Sequence, residues 1–146
     1  MIRKRSAQDD SMILRLIEQE LVPLSHLGAQ EIDQIRKELP RRLNRGITFV
    51  ACRPDNAQPI GFIHVMLHGE LLYIDLIAIS SSHQGQRYGK KLLKHAEQYG
   101  RLRRCKRAKV MVDEDNIRGI RFYLHNHYQM LRYVSLSRCH ELEKIL

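Results

Sequence analysis

Residues 71–93 constrain this chain more than any other stretch: LLYIDLIAIS, then SSHQGQRY, then GKKLL. An unbroken Ile- and Leu-rich run passes through a Ser/Gln/Gly segment into helical spacing, which predicts a strand, a tight loop and a helix start. Gly85 and Gly89 let the backbone approach a ligand or leave the usual dihedral wells. The amides that open the following helix have no partners within it, and with the helix dipole they favour an anion. Arg87, Lys90 and Lys91 add positive charge at the same place. The turn is expected to receive a phosphorylated ligand.

Two familiar phosphate loops are excluded by spacing. Three residues rather than four separate Gly85 from Gly89, and Lys91 stands where a P-loop needs Ser or Thr for magnesium. The GxGxxG spacing of dinucleotide folds is absent. The segment instead resembles the acyl-CoA pyrophosphate loop of the GNAT superfamily of N-acetyltransferases, whose pattern is Arg or Gln, two residues, Gly, any residue, then Gly or Ala. Gln84 matches the first position and Gly89 the last, Arg87 replaces the middle Gly, and Ile79 holds the usual Val or Ile position. A second stretch, NIRGIRFYLHNHY from residue 116, resembles another signature of the same family. Asn116, Gly119, Phe122 and Tyr123 match, whereas His127 and Tyr128 replace a Gly-Phe pair.

At 146 residues the chain suits one domain, here residues 1–146, and 43% hydrophobic with 28% charged residues describes an ordinary globular protein. No apolar segment approaches a membrane span, and the opening MIRKRSAQDD lacks a signal-peptide core. A cytoplasmic location without a membrane partner is the default expectation. Cys52, Cys105 and Cys139 form no CxxC pair, which argues against a disulfide framework or zinc knuckle. The net charge of +9 draws in polyanions, among them nucleic acid, acidic protein and the phosphates of CoA. It repels a small polycationic amine unless a local acidic pocket overrides it.

Along the chain, residues 2–5 read as a first strand and residues 9–21 as an amphipathic helix, with Ser6 and Asp9 a weak start signal. Ile32, Ile35, Leu39 and Leu43 mark a second helix, strained or broken near Pro40. Residues 47–53 and 60–68 read as an antiparallel pair around a turn at 54–57, and Gly69-Glu70 reverses the chain into the central strand. Leu92, Leu93 and Ala96 line a helix ending near Gly100; residues 108–112 follow as a strand, and Ile117, Ile120, Tyr123 and Leu124 as a short helix. Residues 130–136 and 142–146 supply the last strands, although 141–146 fit a helix equally well. This order predicts a single α/β (α+β) domain: a mixed, mostly antiparallel central sheet flanked by helices on both faces. It matches the GNAT-like fold that the resemblance implies over nearly the whole chain.

The resemblance further implies acetyl-CoA as cosubstrate, lying between the central strand and the strand 108–112. Its pantetheine amides would pair with backbone groups at Ile77, Ala78 and Ile79, and the segment Gln84, Gly85, Gln86, Arg87, Tyr88, Gly89, Lys90 would wrap the pyrophosphate, with Asn116 and Tyr123 beyond it. Tyr123 would be the general acid, because a phenol with an unperturbed pKa of about 10 can hand a proton to the leaving CoA thiolate. Its structural alternative is an aromatic on the packed face of a short helix. Asp75 is the acidic residue within the central strand, on the face of Tyr73. It reads either as a base acting through water or as one half of an ion pair.

His64 and His68 share a face of the neighbouring strand but lie roughly 13 Å apart, too far to share a metal; no metal is expected. The basic run Arg101, Arg103, Arg104, Lys106, Arg107, Lys109 lacks interleaved aromatics, so it reads as a solvated edge partly serving the CoA 3′-phosphate rather than as a nucleic-acid contact. Arg41, Arg42 and Arg45 form a second basic cluster beside the presumed acceptor side. The reading is an N-acetyltransferase acting on a primary amine, of a small molecule or a protein, by direct attack in a ternary complex. The rivals are a CoA-binding or nucleic-acid-binding protein without transfer activity. Dimerisation through the C-terminal strands is a further expectation.

Overall fold

Each predicted apolar run becomes a strand of one sheet. The computed structural model describes all residues, Met1–Leu146. Its strands are β1 (Ile2–Lys4), β2 (Ile47–Cys52), β3 (Pro59–His68), β4 (Leu71–Ile79), β5 (Arg107–Asp113), β6 (Gln129–Val134) and β7 (Cys139–Ile145). They lie in the order β1-β2-β3-β4-β5-β7-β6, with β4 and β5 parallel and every other pair antiparallel. Four helices cover the sheet: α1 (Asp10–Leu16), α2 (Ala29–Asn44), α3 (Tyr88–Leu102) and α4 (Ile117–His125).

The core is split by the sheet. On one face Leu92, Leu93 and Ala96 of α3 and Tyr123 of α4 pack with Phe49, Ile63, Val65, Leu72 and Ile74. On the other, Ile13 and Leu16 of α1 and Leu39 and Leu43 of α2 pack with Val50, Phe62 and Ala78. Helices on both faces of β4, the central strand, leave none of its residues fully exposed, which is why it reads as a continuous apolar run rather than an alternating one.

Three local departures from the sequence pattern matter. The first helix winds after Leu16 into a π-helical turn, Ile17–Leu21, and then a 3₁₀ turn, Val22–Leu24. Such turns inside a helix often accompany functional sites. The second helix is not broken at Pro40 but runs through it. Leu39 and Leu43 are pinned in the core on either side, while Pro40 is exposed, so the carbonyl freed by its missing N–H faces solvent. The last segment is strand β7, not a helix. Its Glu141 is buried between Lys109 of β5 and Arg132 of β6, and pairing on both sides decides the ambiguity.

Candidate active site

Parallel pairing of β4 and β5 stops early. Residues 71–74 pair with residues 107–110, after which β4 continues beside β3 to Ile79 and β5 beside β7 to Asp113. The strands therefore splay, and the β5-facing backbone groups of residues 75–79 have no strand partner. A β-bulge sits at the same point, because His64 pairs with Leu76 and Val65 with Ile74, leaving Asp75 as the extra residue. It inverts the side-chain alternation: Leu72 and Ile74 face the α3 side before it, and Ile77 and Ile79 after it. Between the splayed strands opens a groove of about 1460 Å³, walled by Asp75, Ile77, Ala78 and Ile79 of β4, Met111 and Val112 of β5, Tyr123 of α4, and the segment joining α1 to α2.

At one end of the groove lies the Gly-containing loop. Gln84 Nε2 donates to the Ile79 carbonyl at 2.9 Å and to Glu20 at 3.1 Å, tying the loop start to β4 and to the π-turn. Gly85 (φ 78°) and Arg87 (φ 68°) are both left-handed, so Arg87 adopts a conformation that glycine takes without cost. That geometry turns the chain into α3, whose first amides open toward the groove where Arg87, Tyr88, Gly89 and Lys90 stand. Gln86 lines a smaller neighbouring pocket with Arg53 and Tyr88 instead of the groove. Asn116 is the N-cap of α4, its Oδ1 accepting from the Gly119 amide at 2.9 Å. A Cβ at Gly119 would lie 2.6 Å from Asn116 Nδ2, so the small residue of the second signature is a requirement of this cap.

Tyr123 is 3% exposed, and its hydroxyl has no hydrogen-bond partner. Its ring sits edge-on between Phe122 and Tyr128, with centroids at 5.1 and 5.2 Å. Tyr128 is satisfied instead, donating to buried Glu97 at 2.7 Å, and Glu97 also receives Lys144 at 3.0 Å. Burial, with the negative charge of Glu97 behind it, pushes the Tyr123 phenol well above its ordinary value. It stays protonated, a buried donor without a partner in a residue that lines the groove.

The Asp75 carboxylate accepts a two-pronged bond from Arg42 of α2, with Nε to Oδ2 at 2.9 Å and Nη2 to Oδ1 at 2.8 Å. The ion-pair alternative thus has its partner, 33 residues away in sequence. Those hydrogen bonds hold the guanidinium above its ordinary pKa. His64 lies behind the pair, fully buried, its Nδ1 2.8 Å from Thr48 Oγ1 and its Nε2 3.8 Å from Asp75 without a hydrogen bond. Burial lowers its pKa, Arg42 adds to that, and Asp75 opposes it, so the ring is neutral.

Sequence reasoning missed His26 here. His26, from the segment between α1 and α2, reaches across to the end of β5, with Nδ1 2.8 Å from Asp113 and Nε2 3.0 Å from Asp115. Glu114 completes a cluster with His26 and Asp115, yet it is already engaged by Arg138 and Tyr133. Cys139 also lines the groove, but burial raises its pKa and keeps it a thiol. One expectation is corrected. The basic run of residues 101–109 starts at the far end of α3, about 20 Å from the loop at ~1.5 Å per residue. Lys106, Arg107 and Lys109 pair with Glu70, Glu143 and Glu141, and none of the run lines the groove. It is a partly paired edge that cannot serve a ligand there.

No helix is long and apolar enough to cross a membrane. No curated protein matches the chain by sequence. Solved structures share its fold. The PaiA N-acetyltransferase of Thermoplasma acidophilum, crystallised with coenzyme A, superposes with a TM-score of 0.82 at 18% identity over 100% of this chain and 98% of its own. An acetyltransferase of the GNAT family from Staphylococcus aureus Mu50 gives 0.83 at 14% identity over 100% and 98%. A protein from Klebsiella pneumoniae described as an acyl-CoA N-acyltransferase gives 0.73 at 22% over 100% and 97%. At these identities the likeness establishes the fold alone. The sequence model of the acetyltransferase (GNAT) family matches residues 13–128, which span both the loop and the Asn116 to Tyr128 signature, so the chain belongs to the GNAT acetyltransferase family.

Proposed function

We propose that this protein transfers an acetyl group from acetyl-CoA to a primary amine by direct attack within a ternary complex. The observation that carries the reading is the buried Tyr123 hydroxyl, a protonated donor without a partner, on the wall of a groove whose central strand exposes unpaired backbone groups. A burial cost of that kind is retained where a ligand atom meets the donor.

Acetyl-CoA fits the residues present. The amides opening α3, with Arg87 and Lys90, supply a cationic, N–H-rich turn for the pyrophosphate. The edge of β4 without a strand partner supplies peptide groups at Ile77 and the N–H of Ile79, on either side of Ala78, for the pantetheine amides, and one of these N–H groups would polarise the thioester carbonyl. The neutral amine nitrogen attacks that carbonyl carbon, the carbon–sulfur bond breaks, and the Tyr123 phenol gives its proton to the departing thiolate, while the proton lost by the new amide nitrogen passes to solvent, from which the phenol is reprotonated. We assign Asp75 to holding Arg42 rather than to removing the amine's proton, because both of its oxygens are committed to the guanidinium. Cys139, kept as a thiol, is a poor nucleophile, which favours direct transfer over an acetyl-enzyme.

The test is a grid of initial rates with acetyl-CoA and an amine varied together. Intersecting reciprocal plots are expected; parallel lines would point to an acetyl-enzyme and sink the ternary mechanism. A protein that binds CoA and consumes no amine would be a CoA-binding module.

A further inference from the structure

Arg42 has more donors than Asp75 can use. A guanidinium carries five N–H groups. One on Nε and one on Nη2 go to Asp75, while Nη1 has no protein acceptor. The Arg42 side chain is 33% exposed where Asp75 is 8% exposed, so the carboxylate forms the buried back of the pair and the guanidinium its open front. Both residues line the groove, as does Ile35, seven residues earlier on the same face of α2. Asp75 therefore holds a forked cation in a fixed orientation, with its unused edge beside apolar surface.

Position separates this cation from those of the loop. Arg87 and Lys90 stand beyond Ile79, four residues along β4 from Asp75, which is about 13 Å at ~3.3 Å per residue. An anion on Arg42 is thus not the one held at the loop. The carboxylates of the groove point the same way: Asp75 is taken by Arg42, Asp113 by His26 and Glu20 by Gln84, and Glu31 faces the Gly28 amide. The groove offers no free cluster of acids to a polycation, and the chain's net charge of +9 repels one.

We infer that the acetyl acceptor is a small amino carboxylate with an apolar body, its carboxylate bound by the free edge of Arg42. This rests on the transferase reading above. The alternatives, a polyamine, a plain alkylamine and a peptide N-terminus, all lack a carboxylate beside the reacting amine.

The experiment measures kcat and KM with saturating acetyl-CoA for leucine, methionine and phenylalanine, their methyl esters, isoamylamine, spermidine and a short peptide, in the wild type and in Arg42→Gln. The acids are expected to exceed their esters at least tenfold in kcat/KM, mostly through KM. In Arg42→Gln that ratio falls to about twofold or less while acetyl-CoA affinity, read by calorimetry, is unchanged. If Arg42→Gln fails to fold, Arg42→Lys keeps a charge on Asp75 without the fork, and it too is expected to raise KM for the acids and spare the esters. Esters, spermidine or peptide used as well as the acids, or a preference that survives both variants, would overturn the inference and leave the transferase reading standing. Failure of every amine despite tight acetyl-CoA binding would overturn both.

Discussion

Replacing Tyr123 with Phe should move stability and activity in opposite directions. The ring contacts persist, since the edge-on packing against Phe122 and Tyr128 uses no oxygen. What is lost is a hydroxyl 3% exposed and without a partner. Burying an unpartnered polar group costs about 1–3 kcal/mol, so removing it should stabilise the free protein by roughly 1 kcal/mol, or about 3 °C in melting temperature for a domain of this size. A thiolate with a pKa near 8.5 leaves without help more readily than an alkoxide, which places the catalytic loss toward the low end of the ~10²–10⁴ range for general acids, about a hundredfold. The assay pairs thermal melting of the free protein with thiol release under saturating substrates. A lower melting temperature would mean that the hydroxyl had a partner after all, and a kcat within twofold of wild type would remove Tyr123 from the chemistry.

Gly119→Ala should cost about 1–2 kcal/mol by urea unfolding, because the new methyl would meet the Asn116 side chain at 2.6 Å and expel the α4 cap. Arg87→Gly relieves left-handed strain of about 1–2 kcal/mol but frees the unfolded chain by about 1 kcal/mol, so stability should rise by less than ~1 kcal/mol. In the same variant acetyl-CoA binding should weaken and depend less on salt, as titrations at two ionic strengths would reveal. For pH, His64 holds its proton less tightly when folded than its ordinary value of 6.5 allows. Below about 6.5 the unfolded chain therefore takes up a proton that the native one refuses, and stability decreases as pH falls. His64→Gln should flatten that limb of a melting-temperature profile. At the alkaline end the sign reverses, since Tyr123 and Tyr128 bind their protons more tightly when folded, and stability should fall as pH rises past about 10.

What could be read from the chain was local. The strand, loop and helix of residues 71–93 follow from apolar continuity and glycine placement, whereas Asn116 and Gly119 matched a family signature whose structural meaning, the cap of α4, needed the fold. What could not be read depends on partners distant in sequence. Nothing near Asp75 announces Arg42, and the bulge that sets Asp75 apart is a property of the β3–β4 register, not of either strand alone. Pro40 misleads because core packing of Leu39 and Leu43 outweighs one lost hydrogen bond. The basic run of residues 101–109 misleads because charge carries no address until α3 has placed it at the opposite end of the sheet. His26 gave no signal, having found its first carboxylate, Asp113, 87 residues on.

Calorimetric titration of the protein with acetyl-CoA tests the central claim most directly, with ATP titrated in parallel as a polyanion that lacks pantetheine. The account predicts one saturable site per chain for acetyl-CoA, tighter than for ATP by at least tenfold, because the β4 edge and the α3 turn are both used. Absence of saturable heat, or equal and steeply salt-dependent binding of the two ligands, would show that the groove recognises charge alone and would contradict it.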